Sequence, residues 1–147
     1  MAEPKAIGEH AARAPGLYLH VPFCATVCPY CDFAVLVGGE ERRARFVDTL
    51  IAEIELWRSE EGRRPRGFDT VYLGGGTPSM LAPEQLGRIL AAARDRLELA
   101  PEARVFLEAN PEDVTVERAR AWVELGVRFL SLGVQSFDDA ELRFLGR

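Results

Sequence analysis

Residues 69–90 read DTVYLGGGTPSMLAPEQLGRIL, a complete strand–turn–helix unit. Asp69 to Leu73 is a short run with β-branched, aromatic and aliphatic residues, closed by Gly74, Gly75 and Gly76, the punctuation of a strand end. Pro83 suits the first turn of a helix, where a missing N–H goes unnoticed. Leu86, Ile89, Leu90, Ala93 and Leu97 follow at three- and four-residue spacing, the apolar face of that helix. A strand that returns through a helix pairs in parallel with its neighbour.

The alternation continues on both sides. Upstream, Leu17 to Val21 reads as a buried strand. Glu41 to Trp57 reads as a helix with Val47, Leu50, Ile51, Ile54 and Trp57 on one face. Downstream, Arg104 to Ala109 is a strand stopped by Asn110-Pro111, because the residue before proline avoids helix. Thr115 caps a third helix that carries Ala119, Trp122 and Val123 inward and ends at Gly126. Val127 to Gly133 is a fourth strand, and Asp138 begins a fourth helix.

The order βαβαβαβα predicts the α/β class, with parallel strands, helices outside and right-handed crossovers. Four such units are half of an eightfold barrel. The apolar strand Phe129-Leu130-Ser131-Leu132 calls for a further partner, since open edges are avoided. Residues 16–147 are therefore expected to be a core domain truncated at its C-terminal side, after a flexible leader of residues 1–15.

Composition narrows the function classes. The chain has 147 residues, 48% hydrophobic and 28% charged, which fits one globular domain. No apolar stretch approaches the ~20 residues of a membrane span. The first residues lack the apolar segment of a signal peptide. Net charge is -5, against a nucleic-acid partner. The run Arg63-Arg64-Pro65-Arg66 reads as a solvated loop beside Glu60 and Glu61.

In parallel α/β folds ligands sit at the carboxyl ends of the strands. His20 and a cysteine loop follow the first strand, and Gly74 to Thr77 follow the second. Glu108 and Asn110 close the third, and Gln135 and Ser136 follow the fourth. All would open onto one rim. The loop holds Cys24, Cys28 and Cys31, spaced C-x3-C-x2-C, the chain's 3 cysteines. An odd, closely spaced set without an export signal points to a reducing, cytoplasmic setting, where thiols serve metals or catalysis. Thiolates select zinc or iron–sulfur clusters. Two readings stand: zinc closed by the three cysteines and His20, or a four-iron cluster held at three corners with one iron free.

The other rim residues also have alternatives. The glycines either turn the chain or let a ligand touch bare backbone. Glu108, at the end of an apolar strand, should bind a ligand or pair with an arginine, because an unpaired desolvated carboxylate is costly. Gln135 offers the donor and acceptor that a sugar hydroxyl requires.

Together these residues resemble the radical S-adenosylmethionine (radical SAM) superfamily, whose signature is C-x3-C-x2-C after the first strand. The words LYLHVPFCATVCPYCDF, YLGGGTPSML, FLEANPEDVT and SLGVQSFDDAELRFLGR are similar to the branch of oxygen-independent coproporphyrinogen III oxidases and HemW-type heme chaperones. The resemblance runs from about Gly16 to Arg147. The oxidase pattern continues to a fourth cysteine two residues after the third, whereas this chain has Phe33 there. That departure favours the HemW type.

The resemblance implies the N-terminal (βα)4 portion of a partial (β/α)6 barrel. It implies that Cys24, Cys28 and Cys31 hold a [4Fe–4S] cluster whose free iron binds the methionine part of S-adenosylmethionine. Tyr18 matches a tyrosine near that moiety, and Tyr30 the aromatic whose backbone meets adenine. Gly75, Gly76 and Thr77 match the contact to the methionine amino group. Glu108, Gln135 and Arg147 match further polar contacts, with Gln135 at the ribose and Arg147 at the carboxylate. One-electron reduction of the sulfonium would then yield methionine and a 5′-deoxyadenosyl radical.

The implied roles are a heme chaperone that delivers heme to hemoproteins, or an oxidase that decarboxylates two propionates of coproporphyrinogen III. Heme or a porphyrinogen would be the cargo or substrate. Hemoprotein clients, peripheral membrane contact and a homodimer go with the first role. A tRNA-modifying radical enzyme shares the cysteine spacing, but the charge of -5 and the HVPFC wording speak against it.

Overall fold

The computed structural model describes residues 14–59 and 67–147. The leader up to residue 13 and the arginine run at 63–66 lie outside them. In chain order the elements are β1 (Gly16–Val21), β2 (Phe23–Cys24), β3 (Leu36–Val37), α1 (Glu40–Ser59) and β4 (Phe68–Gly75). They continue with α2 (Pro83–Leu97), β5 (Leu99–Ala109), α3 (Val116–Glu124), β6 (Val127–Leu132) and α4 (Asp139–Phe144). The four expected strands form one sheet in the order β1-β4-β5-β6, all parallel. Each new strand adds beside the last, so the sheet grows as a barrel arc. The expected α/β partial barrel is what forms.

The helix signals act as the sequence implies. Pro83 opens α2, and the Gln85 side chain accepts from the Ala82 N–H at 2.9 Å, satisfying one orphan donor of the first turn. Thr115 caps α3 by accepting from the Arg118 N–H, and the Asp138 carboxylate caps α4 through the N–H groups of Ala140 and Glu141. Gly126 follows α3 with φ 97°, a conformation that glycine adopts without penalty.

Period-two alternation divides the sheet into two faces. Leu19, Val21, Val71, Leu73, Val105 and Leu107 are buried and share one core with α1, α2 and α3. Val47, Leu50 and Ile54 of α1, and Leu86, Ile89, Leu90 and Ala93 of α2, pack into it. Trp122 of α3 is 1% exposed within that core. Two expectations are corrected: Trp57 and Val123 are 53% and 57% exposed. Trp57 stands in the last turn of α1, beyond buried Ile54, and Val123 lies about 100° around α3 from buried Trp122, so it faces away from the core.

The other face carries a row of rings in register. Tyr18 pairs with Tyr72, Tyr72 with Phe106, and Phe106 with Phe129. Their ring centroids are 6.1, 5.9 and 4.4 Å apart, and neighbouring planes lie within 21° of parallel. The next row toward the carboxyl ends holds His20, Gly74, Glu108 and Ser131. The short β2–β3 pair was not expected from the sequence, since two residues carry no period. Leu130 and Leu132 of the edge strand β6 are 42% and 47% exposed. Among the described residues no helix is long and apolar enough to cross a membrane.

Candidate functional site

The carboxyl ends of β4, β5 and β6 converge with the cysteine loop on one cavity of about 410 Å³, a size that suits a small organic ligand (~300–1,000 Å³). Its wall includes Cys24, Cys28 and Cys31 with Tyr30 between the last two. Gly75, Gly76 and Thr77 line it from the turn after β4. Glu108 comes from β5, and Gln135 and Arg147 from the segments after β6. Ten of the eleven residues that the resemblance assigns to the cluster or S-adenosylmethionine thus meet in one place, with Asn110 beside them; His20, Gly74 and Ser136, also expected on the rim, do not line it. Tyr18 does not line the cavity; it stands one row below, in the ring ladder.

Each glycine of the run is bare for its own reason. A Cβ on Gly74 would stand 2.9 Å from the Tyr72 ring, 3.1 Å from Glu108 Oε2 and 3.1 Å from the Tyr18 ring. Gly75 has φ 118°, and a Cβ there would meet the His20 ring at 2.6 Å. Gly76 lets the backbone at Phe23 pass. Its N–H donates to Val21 O at 2.9 Å, and the Thr77 N–H to Phe23 O at 2.6 Å. These bonds dock the start of the cysteine loop onto the glycine turn. Below the turn, buried Ser79 donates to Asp113 at 2.6 Å and accepts from the Asn110 N–H at 3.3 Å, tying it to the end of β5.

The three thiols are free. Burial pushes the Cys24 thiol up, and the nearby Cys31 and Cys28 add to this, while a hydrogen bond from the Thr77 hydroxyl and the charge of Arg147 oppose it. That hydroxyl lies 3.7 Å from Cys24 Sγ. The zinc reading needed His20 as fourth ligand. Instead His20 Nε2 lies 3.0 Å from the Ala34 carbonyl and Nδ1 3.2 Å from the Tyr18 hydroxyl, so both ring nitrogens are engaged. Among the described residues no three His, Cys, Asp or Glu side chains converge on a single-ion position.

Glu108 was expected to meet a ligand or an arginine. Among the described residues no arginine bonds it: Oε1 accepts from the Tyr72 hydroxyl at 2.8 Å and Oε2 from the Gly75 N–H at 3.0 Å. The Tyr72 hydroxyl is held protonated above its ordinary range, first by that hydrogen bond and then by burial and the carboxylate charge. Burial, and then the charge of Glu108, raise Tyr18 as well. Burial is also the first cause at Tyr30, followed by a hydrogen bond with Cys28.

Arg147 Nη2 donates to Asn110 Oδ1 and to the Gly133 carbonyl, each at 2.9 Å. Gln135 has φ 66°, left-handed backbone that a non-glycine residue adopts at a cost of order 1–3 kcal/mol and that is concentrated at functional sites. The sequence alone marks Asn110 only as a rim residue and gives Tyr72 no role at the site. The signal for Tyr72 was available, since alternation puts it on the same face as Gly74.

The radical SAM superfamily profile matches residues 18–147. The chain is 40% identical over 131 residues to the heme chaperone HemW of Lactococcus lactis, covering 88% of this chain and 33% of that protein. It is 38% identical over 122 residues to an anaerobilin synthase of Escherichia coli O157:H7, covering 83% and 27%. Among solved structures, the radical SAM enzyme coproporphyrinogen III oxidase (HemN) of Escherichia coli superposes with a TM-score of 0.81 at 26% identity, over 91% of this chain and 31% of that one. The chain thus spans about a third of the length of these relatives.

Proposed function

The chain belongs to the radical SAM superfamily, and on that premise we propose that its cavity holds a [4Fe–4S] cluster with S-adenosylmethionine, in a HemW-like protein that carries heme to hemoproteins. The donor set fits such a group. Three cysteines free of disulfides line a cavity that also presents a guanidinium, a carboxylate and an amide. Cys24, Cys28 and Cys31 would hold the cluster. Bound there, the pair supplies one-electron chemistry at a carbon–sulfur bond.

This chain's residues do the binding and orienting. Arg147, aimed by Asn110 and the Gly133 carbonyl, suits the fork of the methionine carboxylate. Gln135 presents its amide from a constrained backbone, as a ribose hydroxyl requires. Gly75 and Gly76, which carry no side chain, would let the backbone approach the methionine amino group together with Thr77, and Glu108 would add a carboxylate beside them. The Tyr30 backbone would meet adenine. Tyr18 would act from the row below, through the groups it adjoins.

Phe33 carries the choice of chaperone over oxidase. It lines the cavity mouth at 69% exposure, where the oxidase pattern has a fourth cysteine. The second reading, a coproporphyrinogen oxidase, is favoured by the superposition on HemN. The deciding experiment offers coproporphyrinogen III to the cluster-loaded protein with reductant and S-adenosylmethionine under argon. Protoporphyrinogen IX at catalytic yield would overturn the chaperone reading. Absence of product, with heme bound and passed to an apo-hemoprotein, would support it.

A further inference from the structure

We propose that Tyr72 is a positioning residue: its hydroxyl, together with the Gly75 N–H, fixes the Glu108 carboxylate in the orientation that meets S-adenosylmethionine. The inference rests on the reading of the cavity given above. Tyr72 does not line the cavity, so it acts through Glu108.

The two carboxylate oxygens are held separately, Oε1 by Tyr72 at 2.8 Å and Oε2 by Gly75 at 3.0 Å. Both donors belong to β4, so one strand grips a side chain of its neighbour at two points. An ionised carboxylate has about four acceptor positions. Two are taken, and the remainder are available to a ligand in the cavity that Glu108 lines.

The phenol is itself immobilised. Its ring stacks between Tyr18 at 6.1 Å and Phe106 at 5.9 Å. Gly74 provides the room, since any Cβ there would crowd Tyr72, Glu108 and Tyr18 together. A long, flexible acid at the rim of a sheet would otherwise sample several rotamers, and ordering it on binding would weaken affinity. Replacing Tyr72 by phenylalanine keeps the ring and its stacking and removes only the hydroxyl.

The test measures S-adenosylmethionine affinity by equilibrium dialysis for the parent, Tyr72→Phe, Glu108→Ala and the double variant, each with its cluster reconstituted. Iron and sulfide content and the paramagnetic signal of the reduced cluster serve as controls. Tyr72→Phe should bind about 10-fold more weakly with an intact cluster, the size of one hydrogen bond to a charged group. In the Glu108→Ala background the same change should have no effect, because the hydroxyl acts only through the carboxylate. Glu108→Leu replaces the alanine variant if that one does not fold.

An equal loss in both backgrounds would mark a merely structural tyrosine and overturn the proposal. So would full affinity in Tyr72→Phe alongside weakened binding in Glu108→Ala, which leaves the cavity reading standing. If the cluster-loaded parent does not bind S-adenosylmethionine, or Glu108→Ala binds it as the parent does, the assigned contact fails and this inference with it.

Discussion

Gly76 and Phe23 meet backbone to backbone: a Cβ on Gly76 would stand 2.6 Å from the Phe23 carbonyl oxygen. That oxygen also accepts the Thr77 N–H. The contact joins the turn after β4 to the strand that delivers Cys24. Gly76→Ala must therefore push the cysteine strand away, overpacking that costs about 1–3 kcal/mol. The expected result is a lower unfolding midpoint and reduced iron incorporation. A variant with parental iron content and stability would show that the contact does not constrain the loop.

Cys28 lines the cavity between the other two thiols in sequence. Cys28→Ser should leave the fold intact, because the residue is not in the buried core. It should abolish the brown colour after anaerobic reconstitution. Iron and sulfide equal to the parent's would remove the cluster assignment.

The raised hydroxyls of Tyr72 and Tyr18 have a consequence for stability at high pH. The fold holds these protons more tightly than the unfolded chain does. Their contribution is present below the ordinary value of 10.0 and is lost as pH rises past it through the folded values. Urea unfolding followed from about pH 9 to about pH 11 should show stability falling. Tyr72→Phe should make that fall shallower; a parallel decline in both proteins would contradict the assignment.

Trp122 is 1% exposed, and the Arg118 guanidinium lies 5.4 Å from its ring centroid. The same guanidinium donates to the carbonyls of Ser79 and Leu81, so α3 is pinned to the segment below the glycine turn. Trp122→Ala should cost about 3–5 kcal/mol. Chemical denaturation would read this directly. A loss under about 1 kcal/mol would mean that the site had collapsed around the cavity.

The fold was legible because it is written in periods and stops. Leu86, Ile89, Leu90 and Ala93 are spaced for one helical face and do fill the core. The Gly74–Gly76 run and Asn110-Pro111 mark strand ends to within two residues. Trp57 and Val123 stand outside the core because an apolar residue at a helix's end, or one step around it from the buried side, is not assured of a neighbour to pack against. The β2–β3 pair went unseen because two-residue strands have no period, and their pairing comes from the loop's path over Gly76.

The sequence by itself determined the α/β order, the cysteine triplet and the set of polar residues at the strand ends, because these are local patterns of spacing and residue type. Only the tertiary structure decided what those residues do to one another. It engaged both nitrogens of His20, with the Tyr18 hydroxyl and the Ala34 carbonyl, and gave Glu108 to Tyr72 and Gly75 rather than to an arginine. It also aimed Arg147 through Asn110. Apart from Tyr18 with His20, two positions apart, these pairings join residues 14 to 37 positions apart. They follow from the parallel register of β4 against β5 and from where the loops after β1 and β6 come to rest, which no local pattern encodes.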